Sequence, residues 1–297
     1  MAGEDDAEGV GFNIPYLNTA FILLGPGCSI TVEAIRLLAR EGVCIGVSAG
    51  YGTPLHAAVD IHDPSLTMLS SQSEYRNPQP LHKWLQIWSD DVKRMGAAKR
   101  FQQIRYRNLK DGWDHINASR MPISFKRPKD EIEDAVANIH RATGVEQIAG
   151  FEGALTKKLY QAAARAAAYP GEFSRVRGAG GKQDVNGLLD QANYIAYGLA
   201  SVVLWTLGIP ASLSVMHGKT RAGGLVFDVA DLVKDAICLP CAFAAAAAYE
   251  KPEGWKNMDG QPMIGDGPSG FKKFLWGHLR DFKAVERMFS ALDEVSR

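Results

Sequence analysis

A chain of 297 residues carrying 33 basic and 33 acidic side chains has no net charge. Bulk electrostatics therefore gives no ground for nucleic-acid binding, which only local clusters can supply. The length suits one large or two unequal domains, and two are expected.

The first residues, Met1 to Asp6, are acidic and lead into no apolar stretch, so no secretory signal is read and a cytoplasmic location is expected. Residues 19 to 25 form an apolar run closed by Pro26 and Gly27, which predicts a buried strand. A helix follows from about 30 to 41, with Val32, Ile35, Leu38 and Ala39 on one face. Ser29 is expected to cap its start, and Gly42 stands where it ends. Val43 to Ala49 reads as a second strand. Pro54, Pro64, Pro78 and Pro80 then punctuate a linker.

Beyond the linker the periodicity is helical: Leu81 to Lys110, Lys129 to Arg141, Gln147 to Ala168, Asp184 to Leu207, Phe227 to Tyr249 and Phe271 to Ser296. The expected fold is α+β, with a small β-rich N-terminal domain and linker over 1–78 and a larger all-α domain over 79–297. No charge interrupts Gln191 to Met216, a length that raises the question of a membrane span. Asn193, Tyr194, Ser201 and Thr206 interrupt it, and Gly208 with Pro210 forms a helix stop, so a buried helix and no membrane association are expected.

Two basic zones stand out in the neutral chain. Residues 91–128 hold ten basic against three acidic side chains, and residues 157–182 hold six against one. Phe101, Tyr106 and Trp113 interleave with the first zone, a pattern that suits base stacking and helix packing equally. Cys238 and Cys241 have redox-motif spacing without a strand leading into their helix, and no second pair completes a zinc site; structural cysteines are expected. Gly218-Lys219-Thr220 and Gly178 to Lys182 both lack residues that a nucleotide-binding loop requires. The second serves better as a glycine-rich loop beside a phosphate backbone, its charge coming from Arg175, Arg177 and Lys182.

The densest group of functional side chains lies between Val215 and Asp235. Asp228 and Asp231 are three residues apart on one side of a helix expected to start near them. An N-cap role remains open for Asp228. Asp231 sits in an apolar setting and needs a cation or Lys234 as partner. Taken singly, His217 reads more often as a core histidine or cap, and Glu152 by default as a solvated surface residue.

Three stretches change that reading: Glu152-Gly-x-x-x-Lys-Lys-x-Tyr160; Asp184-Val-Asn186 with Asn193-Tyr-x-x-Tyr-Gly198; and His217-Gly-Lys-Thr-Arg-x-Gly-Gly-Leu-Val-Phe-Asp-Val-Ala-Asp231. Together they resemble the CRISPR-associated integrase family Cas1, specifically its type I-F branch. Weaker similarity at Asn13 to Pro15, Leu24 to Pro54 and Gln72 to Arg76 extends the resemblance over most of the chain. It implies a small β-domain before an all-α catalytic domain, and metal ligands at Glu152, His217 and Asp231. It also implies homodimers that flank Cas2, here as Cas2 or a Cas2/Cas3 fusion, and that join prespacer DNA to the repeat. The family's strands ahead of Asn13 have only twelve residues here, so the N-terminal domain is expected to be shortened.

Two carboxylates and an imidazole suit Mg²⁺ or Mn²⁺, with no thiolate to favour zinc. The DNA's own 3′-hydroxyl is then the nucleophile. Supporting roles are expected for Asp228, Lys234 and Tyr197, and DNA contacts for Arg175, Arg177, Lys182, Lys219 and Arg221. The residues leave open a metal-dependent nuclease on branched double-stranded DNA, a non-catalytic DNA-binding scaffold, and a metal-free hydrolase using Glu152 and Asp231.

Overall fold

The structure is a computed structural model, and it describes residues 14–25, 27–47, 67–69, 77–119, 121–178, 181, 183–218, 220–257 and 259–297. Strand β1 (Phe21–Leu24) pairs in parallel with β2 (Cys44–Val47) across the helix α1 (Val32–Arg40), and β3 (Thr67–Leu69) pairs antiparallel to β2. Leu38, Val43 and Ile45 form the small core beneath them. The first strand and helix fall where the sequence placed them, and β3 is an addition. Thr31, not Ser29, caps α1, its side chain accepting from the Ala34 amide. Gly42 follows the helix with φ of 72°, a conformation glycine adopts without penalty. The expectations for residues 1–13 and for the linker prolines Pro54 and Pro64 lie outside the described residues.

The rest is helical: α2 (Gln79–Trp88), α3 (Asp91–Ala118), α4 (Lys129–Arg141), α5 (Val145–Ala166), α6 (Val185–Leu207), α7 (Gly224–Val233), α8 (Leu239–Glu250), α9 (Gly267–Asp281) and α10 (Ala284–Val295). The α+β class with its all-α second part is as expected. Three long helical expectations are divided. Leu81 to Lys110 breaks at Asp90, whose carboxylate caps the Val92 and Lys93 amides and starts a new helix. Phe271 to Ser296 breaks at Lys283, with φ of 56°. The helix expected from Phe227 begins at Gly224, and a π-helical turn (Lys234–Cys238) interrupts it before α8.

The uncharged segment forms most of α6, a buried core helix ending at Gly208 in the left-handed conformation. Among the described residues no helix is long and apolar enough to cross a membrane. Cys238 and Cys241 are free and buried.

The long helix α3 runs beside α7 and the π turn, and its polar core residues stitch the two together. Asn108 donates to the Leu232 carbonyl at 3.1 Å and Trp113 donates to the Asp235 carbonyl at 2.8 Å. Gly112 permits that approach: a Cβ there would stand 2.6 Å from the Ala236 carbonyl oxygen. The basic zone on α3 is correspondingly dispersed. Lys99 donates to the His140 carbonyl, Arg100 to the Glu294 carbonyl, Arg107 pairs with Glu294, and Arg105 is buried.

Candidate metal centre

His217 lies in the turn between α6 and α7, and that turn is built around Asp228. One carboxylate oxygen of Asp228 accepts from the Ser214 hydroxyl at 2.9 Å, the Val215 amide at 2.8 Å and the Met216 amide at 3.2 Å. The other accepts from His217 Nδ1 at 2.7 Å. A carboxylate at this position only accepts, so Nδ1 carries the proton and Nε2 presents its lone pair. Asp228 is thus no N-cap: Gly223 holds that place, and Asp228 stands within α7, binding the preceding turn with its side chain. Gly224 keeps the turn close, since a Cβ there would lie 2.7 Å from Ser214 Cβ.

Asp231, one turn along α7, is buried, and Oδ2 lies 3.9 Å from His217 Nε2. Its Oδ1 accepts from Lys234 Nζ at 2.7 Å. Burial by itself would raise the Asp231 carboxyl, but Lys234, Arg105 and His217 outweigh it and hold the group below the usual carboxylate range. For His217, burial would lower the imidazole; the hydrogen bond to Asp228 and the charges of Asp231, Asp228 and Glu152 raise it instead.

Glu152 projects from the first half of α5. It is not the solvated residue that its type suggests, since its side chain is 18% exposed and its Oε1 is ion-paired with Arg105 Nη1 at 2.8 Å. Burial raises its carboxyl, opposed by Arg105 and assisted by the nearby charge of Asp231. The same Arg105 donates through Nε to Asp235 at 2.9 Å, through Nη2 also to Asp235, and through Nη2 to Thr156 at 3.1 Å.

The three expected ligands share a pattern. Each gives one atom to a holding group: Nδ1 of His217 to Asp228, Oδ1 of Asp231 to Lys234, Oε1 of Glu152 to Arg105. Among the described residues none forms a hydrogen bond through its second atom, Nε2, Oδ2 or Oε2. Four buried or half-buried carboxylates, Glu152, Asp228, Asp231 and Asp235, face two fixed cations, Arg105 and Lys234. With His217 neutral the balance is two negative charges, which one divalent cation would cancel. The donor set and the charge thus fit Mg²⁺ or Mn²⁺. The side chains as they stand form no closed cage, and among the described residues no three such groups have the spacing of a metal site.

Around this centre, Tyr197 packs edge-on to Phe227 at 4.9 Å between ring centres, and Lys234 Nζ lies 5.1 Å from the Tyr197 ring centre. The Arg221 guanidinium lies over the Phe227 ring, 4.1 Å from its centre. Arg175 is committed internally, to Asp190, to Asn186 at 3.1 Å and to the Val176 carbonyl, and so fastens its loop to α6. Arg177 is exposed. Lys182 and Lys219 lie outside the described residues.

Sequence reasoning missed Arg105 and Asp235. The signal was present: Arg105 and Asn108 occupy core positions in the helical series Phe101, Ile104, Leu109, Gly112 and Trp113, where an unpaired charge is not tolerated. Asp235 stands four residues after Asp231, but only the fold shows which cation meets it.

Residues 5–250 match the family model described as CRISPR associated protein Cas1. The "CRISPR-associated endonuclease Cas1" of Pectobacterium atrosepticum is 42% identical over 299 aligned positions, covering 99% of this chain and 85% of that protein. The protein of that same description from Pseudomonas aeruginosa is 38% identical, covering 96% of this chain and 84% of its own length. Among solved structures, a TtCas1–DNA complex superposes with a TM-score of 0.65 at 20% identity, covering 96% of this chain and 86% of that one. A casposase bound to integration product gives 0.58 at 15% identity, covering 94% and 83%. These two likenesses establish the fold. The arrangement is that of a nucleic-acid-processing family built on a small sheet and a helical bundle. The chain belongs to the CRISPR-associated protein Cas1 family.

Proposed function

We propose that this chain is the spacer-acquisition integrase of a type I-F CRISPR system, a metal-dependent DNA transesterase that joins prespacer 3′-hydroxyl ends to the repeat at the leader end of the array. The observation that carries the reading is the set of three ligand-type atoms, Nε2 of His217, Oδ2 of Asp231 and Oε2 of Glu152, which carry no hydrogen bond among the described residues while each side chain's other atom is held by its own partner. These residues would hold Mg²⁺ or Mn²⁺, which when bound would favour the ionised attacking hydroxyl and neutralise charge at the attacked phosphate.

The protein's own groups do the rest. Asp228 fixes the histidine tautomer, and Lys234 keeps Asp231 ionised and adds positive charge beside the phosphate. Phe227 and Tyr197 form an apolar wall that limits water on one side of the centre. Arg177 and Arg221, with Lys182 and Lys219, supply phosphate contacts, while Arg175 shapes the loop that carries Arg177. No protein nucleophile is needed, because the DNA end supplies the attacking oxygen. The boundary near residue 78, a homodimer, and Cas2 or a Cas2/Cas3 fusion as partner belong to the same reading.

The test is an assay on supercoiled plasmid carrying a repeat, with prespacer duplex, the purified partner and Mn²⁺. Joined half-site products, lost in EDTA and in the Asp231→Asn variant, are expected. Hydrolysed branches without joining would replace the reading with a nuclease, and activity persisting in EDTA would remove the metal.

A further inference from the structure

Two of the three ligand-type residues are held by groups next to them in the chain or across one turn. Lys234 follows Asp231 by three residues, and Asp228 reaches back to His217 from within the same short stretch. Glu152 is different. It arrives from α5, and a glutamate has three side-chain torsions to fix before its carboxylate has a defined place. The only charged group ion-paired with it among the described residues is Arg105 of α3, buried and anchored from two directions. Asp235 of the π turn takes both Nε and Nη2, which sets the plane of the guanidinium. Thr156, one turn after Glu152 on α5, accepts from Nη2 at 3.1 Å. The fork therefore meets α5 twice, donating to Thr156 through Nη2 and holding Glu152 Oε1 as an ion pair 2.8 Å from Nη1, which also donates to Gln102 at 3.5 Å.

We propose that Arg105, fixed by Asp235 and Thr156, is the positioning residue that sets Glu152 in register with His217 and Asp231, so that a divalent cation meets three ligands instead of two. This rests on the metal-centre reading above. It also departs from what charge alone predicts. A guanidinium beside a cation site repels the cation, so a guanidinium acting only as a counter-ion weakens metal binding, and its removal would tighten it. A guanidinium that positions a ligand strengthens binding, and its removal weakens it. The two roles have opposite signs.

Removing Arg105 alone would leave Asp235 buried without a partner. The informative variant is the double substitution Arg105→Gln with Asp235→Asn, which deletes one positive and one negative charge and leaves the net charge of the centre unchanged. Mn²⁺ binding by the full chain is measured by titration calorimetry and by loss of the free-ion paramagnetic resonance signal, with circular dichroism and melting temperature as controls on the fold. Wild type is expected to bind, Asp231→Asn to lose binding, and the double variant to bind about ten- to a hundredfold more weakly. Affinity in the double variant equal to or above wild type overturns the positioning role while the metal centre stands. If wild type itself binds no Mn²⁺, the metal centre fails and the positioning role fails with it. Should the double variant not fold, Thr156→Val removes one anchor and no charge. It is expected to weaken Mn²⁺ binding severalfold, and unchanged affinity there overturns the proposal equally.

Discussion

Asp228 offers the sharpest separation of structure from chemistry, because its carboxylate serves two purposes through different oxygens. In Asp228→Ala, the Val215 and Met216 amides lose their 2.8 and 3.2 Å acceptor in a buried turn. Orphaned buried donors cost about 1–3 kcal/mol each, and the Ser214 hydroxyl and His217 imidazole can reorient, so a loss on the order of 2–5 kcal/mol is expected. Asp228→Asn behaves differently. Its amide oxygen can keep the backbone donors, which limits the loss to about 1–2 kcal/mol. The amide nitrogen then faces His217 Nδ1, and two donors cannot face each other. The ring must move its proton to Nε2, the atom expected to bind metal. Urea unfolding followed by circular dichroism, with Mn²⁺ affinity measured in parallel, reads both effects. The expected outcome is a nearly stable Asn variant with at least tenfold weaker binding. An Asn variant with wild-type Mn²⁺ affinity would show that the tautomer argument is wrong.

Gly112→Ala should destabilise the chain by about 1–3 kcal/mol in urea unfolding, despite the better helix propensity of alanine, because its Cβ would meet the Ala236 carbonyl at 2.6 Å. Equal or greater stability would mean that α3 and the π turn separate easily. Glu152→Gln and His217→Gln should each abolish plasmid joining with melting temperatures within a few degrees of wild type, and retention of joining by either would remove it from the ligand set. A pH dependence follows from His278, which burial and the neighbouring His115 push down to about 4, with Asp281 opposing. The unfolded chain then binds the proton more readily than the folded one, so stability is full above about 6.5 and falls as pH drops toward 4. The loss is on the order of 2–3 kcal/mol, and thermal melts between pH 7 and 4.5 should show a shallower decline in His278→Gln.

The α+β division and the buried α6 were legible in the sequence, and the stretches carrying Glu152, His217 and Asp231 could be picked out as candidates, because periodicity, helix stops and local motifs report on neighbours in the chain. Gly208 and Gly42 marked helix ends for the same reason, their left-handed backbone being a local property. Helix continuity was less legible. Asp90 and Lys283 break runs whose apolar pattern carries on across the break, and the π turn has no composition of its own.

What the sequence by itself determined is which residue types were available to the centre and which elements carry them. Only the tertiary structure decided how their charges are paired. Glu152 lies 83 residues ahead of Asp235, and nothing in spacing joins either to Arg105. Packing of α3 against α5 and the π turn excludes water from that guanidinium, and a buried cation must then find its carboxylates wherever the fold brings them.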